Sequence, residues 1–521
     1  MSPSFGSGDG MWIAVLVLAL VATVFAVRRQ MHMFQLNSYR ARGHVRWLGQ
    51  HRTYWVLQVV VAITATLTVF WPVGAGVVTL AFLLLAVWAN RPRSHKAKKP
   101  LVFTSRVVRM LVTTAVLLAV LVVVCLVVPA TWQGLIAALP YVLSPVWVLI
   151  ANWINAPIEA GVRQHYMKDA KRMLAAQPSL ITIGVTGSYG KTSVKFYLAT
   201  LLRSHFNVLM TPASYNTPMG ITKTIRGELR ATHEVFVCEM GAERVGEIKA
   251  DCDLVNPTIG IITAIGEQHL ATFGSQANIL RTKLELADAV RGKGMLYLNG
   301  DNEILRSHQP DQERELYGLR ADNDSYAYDL SVSVTGTRFS LSHRGREITG
   351  LATALIGAHN IQNLAGAMAV ALDLGVTESE LRAQLKKLAP APHRLAMSRQ
   401  GQSILIDDAY NSNPAGAKAA LDTLILFEGH HVLITPGMVQ LGARQDLLNE
   451  EFGVQAAVAD HVFLVGAKQT QPIARGLDRA GFDPAKLTIV EDVQQAIAQA
   501  YQLPGVDQKV ILLENDLPDN Y

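Results

Sequence analysis

The segment Thr186-Gly187-Ser188-Tyr189-Gly190-Lys191-Thr192-Ser193 combines two glycines, one lysine and several hydroxyls within eight positions. It follows a short β-rich run, Leu180 to Val185, and leads into a helical stretch beginning Val194-Lys195. Strand, glycine loop and helix N-terminus together make a phosphate cradle. Backbone N–H groups and the helix dipole meet the anion, the lysine reaches the β- and γ-phosphates, and a hydroxyl ligates Mg2+. The usual spacing has a further glycine where this chain carries Val185, so the loop is a shortened G-x-x-G-K-T form. Gly187, Ser188, Gly190, Lys191, Thr192 and Ser193 are its candidate ATP-binding residues. A chance glycine turn after a strand is the plainer alternative.

Such a loop needs a sheet behind it. From Leu180 onward short apolar runs alternate with helical stretches, the pattern of a parallel α/β sheet. Alternation of polar and apolar residues around Ser325 to Ile356 predicts antiparallel strands appended to that domain. Residues 395 to 521 place strand-like runs, Ser403 to Ile406, His431 to Thr435, His461 to Val465, Leu487 to Val490 and Lys509 to Leu513, between Ala-rich helical stretches. They predict a Rossmann-like C-terminal domain. The expected fold class is therefore α/β, preceded by a different kind of material.

Further motifs follow the loop in order. They are Glu239-Met240-Gly241-Ala242 with Gly246-Glu247-Ile248, then Gly266-x-x-His269-Leu270 with Phe273-Gly274-Ser275, and Lys283-x-Glu285. Gly357-x-His359-Asn360-x-x-Asn363 and Asp407-Asp408-Ala409-Tyr410-Asn411-Ser412-Asn413-Pro414 complete the set. Over about residues 178 to 465 the chain resembles the Mur ligases, which build the peptidoglycan stem peptide, and among them the D-alanyl-D-alanine-adding members. The resemblance implies an ADP-forming ligase that phosphorylates a carboxylate with ATP and lets an amine attack the acyl phosphate. It implies two Mg2+ ions: Lys191 neutralises the transferred phosphoryl, Thr192 and Glu239 hold one metal, and His269 holds the second. Lys283 matches a lysine that is carbamylated in relatives, where it acts as a carboxylate-like metal ligand; a solvent-facing helical lysine is the bland reading. Asn360 and Asn363 are implied at the adenine, although an Asn-x-x-Asn pair at a helix start can equally cap it. Arg394 is implied at phosphate, Asp408 at the ribose, and Asn216 and Thr217 at the growing substrate.

The likeness has gaps. The small domain that grips the UDP end of the precursor is missing from the amino-terminal third, the Lys-Gly-Ser stretch near the family's C-terminus is replaced by Glu514-Asn515-Asp516, and Val439-Gln440 stand where an acidic pair is expected. These differences leave the acid and the amine open.

The first third reads as membrane. Of the 521 residues 50% are hydrophobic and only 17% charged, against about 25% charge in an ordinary soluble protein. Residues 1 to 175 hold 17 Lys+Arg against 3 Asp+Glu, and the remainder is acidic. Apolar runs at about Met11 to Val27, Tyr54 to Trp71, Gly76 to Ala89, Met110 to Val128 and Leu135 to Ile154 contain no Asp, Glu, Lys or Arg. They predict five spans. Basic residues cluster in alternate connections, which puts the N-terminus outside and everything after Ile154 in the cytoplasm of a multi-pass plasma-membrane protein. Spans without ionisable residues argue against transport. The basic excess lies beside the apolar runs and does not point to nucleic acid. Three cysteines exclude a disulfide scaffold.

The expected organisation is a transmembrane region over 1–155, an interfacial linker helix over 156–177, a central ATP-binding domain over 178–393 and a C-terminal domain over 394–521. The expected function is a membrane-anchored, cytosol-facing ATP-dependent carboxylate-amine ligase of cell-wall assembly. The partners are ATP, a cell-wall precursor or other carboxylate with an amino acid or dipeptide amine, and the bilayer. The alternatives are a ligase on a lipid-linked or polymeric acid, such as poly-γ-glutamate, and a non-catalytic ATP-binding membrane scaffold.

Overall fold

A computed structural model describes residues 9–51, 53–91, 100–213, 215–267, 270–410, 412–467, 469–504 and 508–516. The chain divides into two compact units, one ending at Gln164 and one running from His165 to Asp516.

The first unit is helical: α1 (Asp9–Leu36), α2 (Ala41–Gln50), α3 (Thr53–Leu67), α4 (Pro72–Asn90), α5 (Ser105–Val127), α6 (Ala130–Val142) and the start of α7 (Ser144–Ala175). Its interior is built from Val15, Ala19, Ala22, Val61, Leu83 and Ala137, while valines such as Val112, Val116 and Val120 stand outward on α5. Apolar side chains on both the inside and the outside of a bundle suit a lipid surround. Among the described residues three helices, α1, α4 and α5, are long and apolar enough to cross a membrane, and a fourth span arises if the bent pair α6 and α7 counts as one. The expected five differ for two reasons. The α3 helix has 15 residues, about 22 Å at 1.5 Å per residue, short of the hydrocarbon. The fifth run breaks at Leu143, where α6 and α7 meet at 69°; Pro140 lies before the break and Pro145 after it. The linker helix expected over 156–177 is not separate, since α7 runs unbroken from Ser144 to Ala175. Helix α5 also begins earlier than the apolar run, so Arg106 and Arg109 are helical.

The second unit begins with β1 (Ile181–Thr186), α8 (Lys191–Leu202), β2 (Val208–Met210), α9 (Pro218–Glu228), β3 (Val235–Glu239), α10 (Glu247–Val255), β4 (Ile259–Ile262), α11 (Leu270–Phe273), α12 (Gln276–Val290), β5 (Leu296–Asn299), α13 (Glu303–Ser307) and β6 (Arg314–Gly318). A meander of β7 (Ser325–Ser333), β8 (Gly336–His343) and β9 (Arg346–Thr353) follows, then α14 (Ala358–Asp373) and α15 (Glu378–Leu385). These form one nine-stranded sheet in the order β2-β3-β1-β4-β5-β6-β7-β8-β9. It is parallel through β7, with β7, β8 and β9 antiparallel to one another, as the alternation around Ser325 to Ile356 predicts. Strands β1 and β3 are Val- and Ile-rich and buried on both faces, the composition a helix-covered parallel sheet requires. Each such buried side chain contributes roughly 1.5–3 kcal/mol.

The remainder is β10 (Ala396–Gln400), β11 (Ser403–Asp408), α16 (Pro414–Leu424), β12 (His430–Thr435), α17 (Gln445–Ala456), β13 (His461–Val465), α18 (Gln471–Arg479), β14 (Leu487–Val490), α19 (Val493–Gln502) and β15 (Lys509–Glu514). Its six-stranded sheet runs β10-β11-β15-β12-β13-β14, parallel except for the β10 edge. Because β15 inserts between β11 and β12, the last strand of the chain places Glu514 beside Asp408.

Candidate functional site

Register brings the chemistry together. Strands β1 and β3 pair so that Val185 faces Glu239, which sets the carboxylate beside the first residues of the glycine loop. Gly187 and Gly190 hold positive φ of 147° and 80°. A Cβ at Gly187 would stand 2.1 Å from Thr263 Oγ1, and one at Gly190 2.6 Å from Asn363 Oδ1. Glycine is thus required on both counts. The loop is braced from β4: Ser188 N donates to the Ala264 carbonyl at 2.7 Å, Gly266 N donates to Ser188 Oγ at 3.0 Å, and Thr263 Oγ1 donates to the Tyr189 carbonyl. Helix α8 begins at Lys191, and its N-terminal amides and dipole favour an anion at the loop.

Lys191 Nζ donates to the carbonyls of Gly187 at 2.7 Å and Ser188 at 3.1 Å, folded over its own loop. Burial pulls its pKa down to about 8, with Glu239 opposing the drop and Arg394 adding to it. The buried Glu239 Oε1 accepts from Thr192 Oγ1 at 3.2 Å and from Asn216 Nδ2 at 3.0 Å. Its Oε2 lies 3.0 Å from Lys195 Nζ but accepts no well-aligned hydrogen bond. Burial alone would raise the Glu239 pKa, yet Lys195 and Lys191 hold it below the ordinary carboxylate value. The carboxylate is therefore an anion. Paired with the Thr192 hydroxyl, it would offer hard oxygen ligands of the kind Mg2+ takes. The residues fit such an ion. Among the described residues no group of three or more His, Cys, Asp or Glu is arranged around a metal position, and His269 lies outside the described residues.

Next to this cluster a cavity of about 380 Å³ opens between the two sheets of the second unit. Of the expected nucleotide residues, Gly190, Ser193, Asn360, Asn363, Arg394 and Asp408 line it. The Arg394 guanidinium lies 4.5 Å over the Tyr410 ring, and its buried Nε has no hydrogen-bond partner. An unpaired guanidinium donor is what a phosphate oxygen would meet. Asp408 accepts from Leu395 N at 3.2 Å, and burial lifts its carboxyl to about 6. Asn360 is tied into structure: it accepts from Tyr197 Oη at 2.7 Å and donates to the Ile356 carbonyl at 2.8 Å, locking α8 to α14. Gly187, Ser188, Lys191, Thr192, Glu239 and Lys283 do not line the cavity. Asn216 is held by Glu239, and the Thr217 hydroxyl caps α9 by accepting from Gly220 N at 3.3 Å.

Lys283 is not a surface lysine. It is 2% exposed on α12, and burial, reinforced by Lys191, pulls its pKa down to about 7. The neighbouring Glu285 explains the rest of the Lys-x-Glu motif, since its carboxylate accepts from Gly246 N and Lys249 N at 2.8 Å and caps α10. Sequence reasoning missed Lys195, whose burial cannot be read from its position four residues after Lys191. It also missed the cavity roles of Tyr189, His359 and Asn413, although each stood inside a motif. Asn413 is the N-cap of α16, accepting from Gly416 N at 2.9 Å, and the Asn-Pro pair at 413–414 was its signal.

Comparison with known proteins adds to this geometry. Residues 185–371 match the Mur ligase middle domain, and residues 393–514 match the Mur ligase, glutamate ligase domain. The chain is 30% identical over 335 residues to the UDP-N-acetylmuramoyl-tripeptide--D-alanyl-D-alanine ligase of Escherichia coli, covering 62% of this chain and 74% of that protein. It is 32% identical over 289 residues to the same-named ligase of Bacillus subtilis, covering 54% of this chain and 62% of the relative. Among solved structures it is similar to MurF from Acinetobacter baumannii, with a TM-score of 0.60 at 25% identity over 68% of this chain and 77% of that one. The MurF ligase from Thermotoga maritima, determined in complex with ADP, shares the fold with a TM-score of 0.60 at 24% identity, over 68% of this chain and 80% of that one.

Proposed function

The chain belongs to the Mur ligase family, and from that premise we propose that it is an ATP-dependent, ADP-forming carboxylate-amine ligase of peptidoglycan assembly, anchored to the plasma membrane with its ligase domains in the cytoplasm. The carrying observation is the junction of the Lys191 loop and the Glu239–Thr192 pair with a cavity lined by Arg394, whose buried Nε is unpartnered. A nucleotide seated there would lay its phosphates on the α8 N-terminus and its sugar and base between α14 and Asp408. By analogy with the relatives, the acid is a UDP-N-acetylmuramoyl-tripeptide and the amine D-alanyl-D-alanine. A lipid-linked acid is the second reading, favoured by the apolar helices α1, α4 and α5.

In the first step a carboxylate oxygen of the acid bonds to the γ-phosphorus as the bond to the β-bridging oxygen breaks, giving ADP and an acyl phosphate. In the second step the amine attacks the acyl carbon, phosphate leaves, and the amine loses a proton. Lys191, released from its own loop, would follow the transferred phosphoryl, and Arg394 would neutralise the charge left on the diphosphate. Thr192 and Glu239 would hold Mg2+, which when bound would supply neutralisation of phosphate charge. By family match His269 would hold a second ion. Lys283 has the chemistry for carbamylation, because burial pulls its amine down to about 7, which leaves a substantial neutral fraction at cellular pH, and a neutral amine adds CO2 to give a carbamate and a proton. The C-terminal domain, meeting the central one across the cavity, would exclude water from the acyl phosphate.

Phosphate release by the purified full-length protein, measured while acid and amine are varied separately, tests this function. Release that requires both substrates supports it; ATP hydrolysis indifferent to both would refute it.

A further inference from the structure

We propose that the N-terminal unit holds a binding site for the phosphate headgroup of a membrane lipid, built from Gln30, His44 and Arg106 around the rings of Phe34 and Tyr39. The site is separate from the ligase chemistry and does not depend on the reading of it.

The observations come from three helices. On α2, His44 is 0% exposed, sits edge-on to Phe34 with ring centroids 5.2 Å apart, and stacks on Trp47 at 5.7 Å. Neither ring nitrogen has a hydrogen-bond partner. On α1, Gln30 is 2% exposed, one turn before Phe34, and its Oε1 is unpartnered. On α5, the Arg106 guanidinium lies 4.1 Å over the Tyr39 ring and donates from Nη2 to Asn152 Oδ1 at 3.0 Å, while its Nε is buried without a partner. Phe34 meets Tyr39 at 5.7 Å, so His44 and Arg106 are linked through one pair of rings, with Gln30 a helical turn before Phe34. The other arginine of this turn, Arg109, is already neutralised by Glu159 at 2.6 Å.

Folded proteins pair nearly all buried polar atoms, and leaving one unpaired is destabilising. Several strung along one pair of rings therefore mark a place that something polar fills. The chemistry of the set is specific. Arg106 Nε and an imidazole N–H donate, and the Gln30 amide oxygen accepts. A phosphate monoester answers all three, because two of its oxygens accept and its remaining P–OH donates. A carboxylate has no hydrogen to offer Gln30. The stacked arginine presents a planar donor fork suited to phosphate. Burial holds the His44 pKa down at about 4, so the ring is neutral in the protein alone and gains charge only when an anion arrives. The walls identify the carrier of the phosphate: Val27, Met31, Val107 and Met110 close the site with apolar carbon, and α1 and α5 are two of the helices of membrane-spanning length. A headgroup entering there brings an alkyl chain that has apolar surface to lie on.

The test uses the full-length protein in dodecyl maltoside micelles with 15N-labelled histidine, the His44 signals being assigned with His44→Phe. It is titrated with dodecyl phosphate, inorganic phosphate and dodecanol. The expected result is a saturable shift of the His44 nitrogens toward imidazolium with dodecyl phosphate, at least tenfold tighter than with inorganic phosphate and absent with dodecanol. Arg106→Met and Gln30→Leu should each weaken it at least tenfold. Should Arg106→Met not fold, Arg106→Lys keeps the charge but not the stacked fork, and the same weakening is expected. No response to either phosphate would mean that water alone fills the cluster and would overturn the site. Equal affinity for inorganic phosphate and dodecyl phosphate would overturn the lipid assignment, and a matching response to dodecanol would overturn the recognition of phosphate.

Discussion

Two buried lysines, Lys195 and Lys283, and the half-buried Lys191 set the charge around the glycine loop. Removing Lys191 takes away the cation placed to follow the phosphoryl, so Lys191→Ala should lower kcat by about 10²-fold to 10³-fold or more; near wild-type turnover in a ligation assay would refute the loop assignment. Lys195 is bound to Glu239 at 3.0 Å and to the Ala213 carbonyl at 2.5 Å. Lys195→Met strands a buried carboxylate, and urea unfolding should register a loss of roughly 3–5 kcal/mol. For Lys283, alanine should abolish activity that added amines do not restore, whereas small carboxylic acids, which return oxygen ligands, should recover part of it. Bicarbonate depletion should slow the wild type and leave Lys283→Ala unchanged; full activity in the alanine variant would return Lys283 to a packing role. At this scale the sequence was informative where spacing along one segment carries the chemistry, as in Gly187 to Thr192. It was silent on Lys195, since only the packing of α8 against β3 decides that this lysine is buried.

Elements explain why distant residues meet. The end of β3 lies beside the end of β1, and β15 carries Glu514 between β11 and β12. There Thr435 Oγ1 donates to Glu514 at 2.7 Å, Ser412 donates to its other oxygen, and burial pushes the carboxyl up to about 7 from an ordinary 4.5. In the unfolded chain this group loses its proton near 4.5, while the folded chain keeps it until about 7. The native state therefore loses stability from Glu514 as pH rises through that window. The melting temperature of Glu514→Gln relative to wild type should climb between pH 4.5 and 7 and level off above it; a difference independent of pH would contradict the assignment. The strands were readable because buried parallel strands are continuous runs of Val, Ile and Leu. The break at Leu143 was not, because apolar composition is the same in a straight span and a bent one.

At the scale of the whole molecule, an apolar, basic N-terminal unit precedes an acidic ligase unit. From the Lys/Arg asymmetry of the connections, a tag after Tyr521 should be cytoplasmic and one before Met11 external; protease protection in spheroplasts showing the reverse would refute the topology. Within the ligase unit, Arg444 of the C-terminal domain pairs with Glu267 of the loop that follows β4, a contact across the two domains. The central claim, that a carboxylate is activated by phosphorylation, is tested most directly by isotope transfer. The acid is supplied with 18O in its carboxylate, together with ATP and the amine, and the released phosphate is analysed by mass spectrometry. One 18O is expected in each phosphate for each amide formed, with ADP as the other product. Unlabelled phosphate, or 18O appearing in AMP, would contradict it.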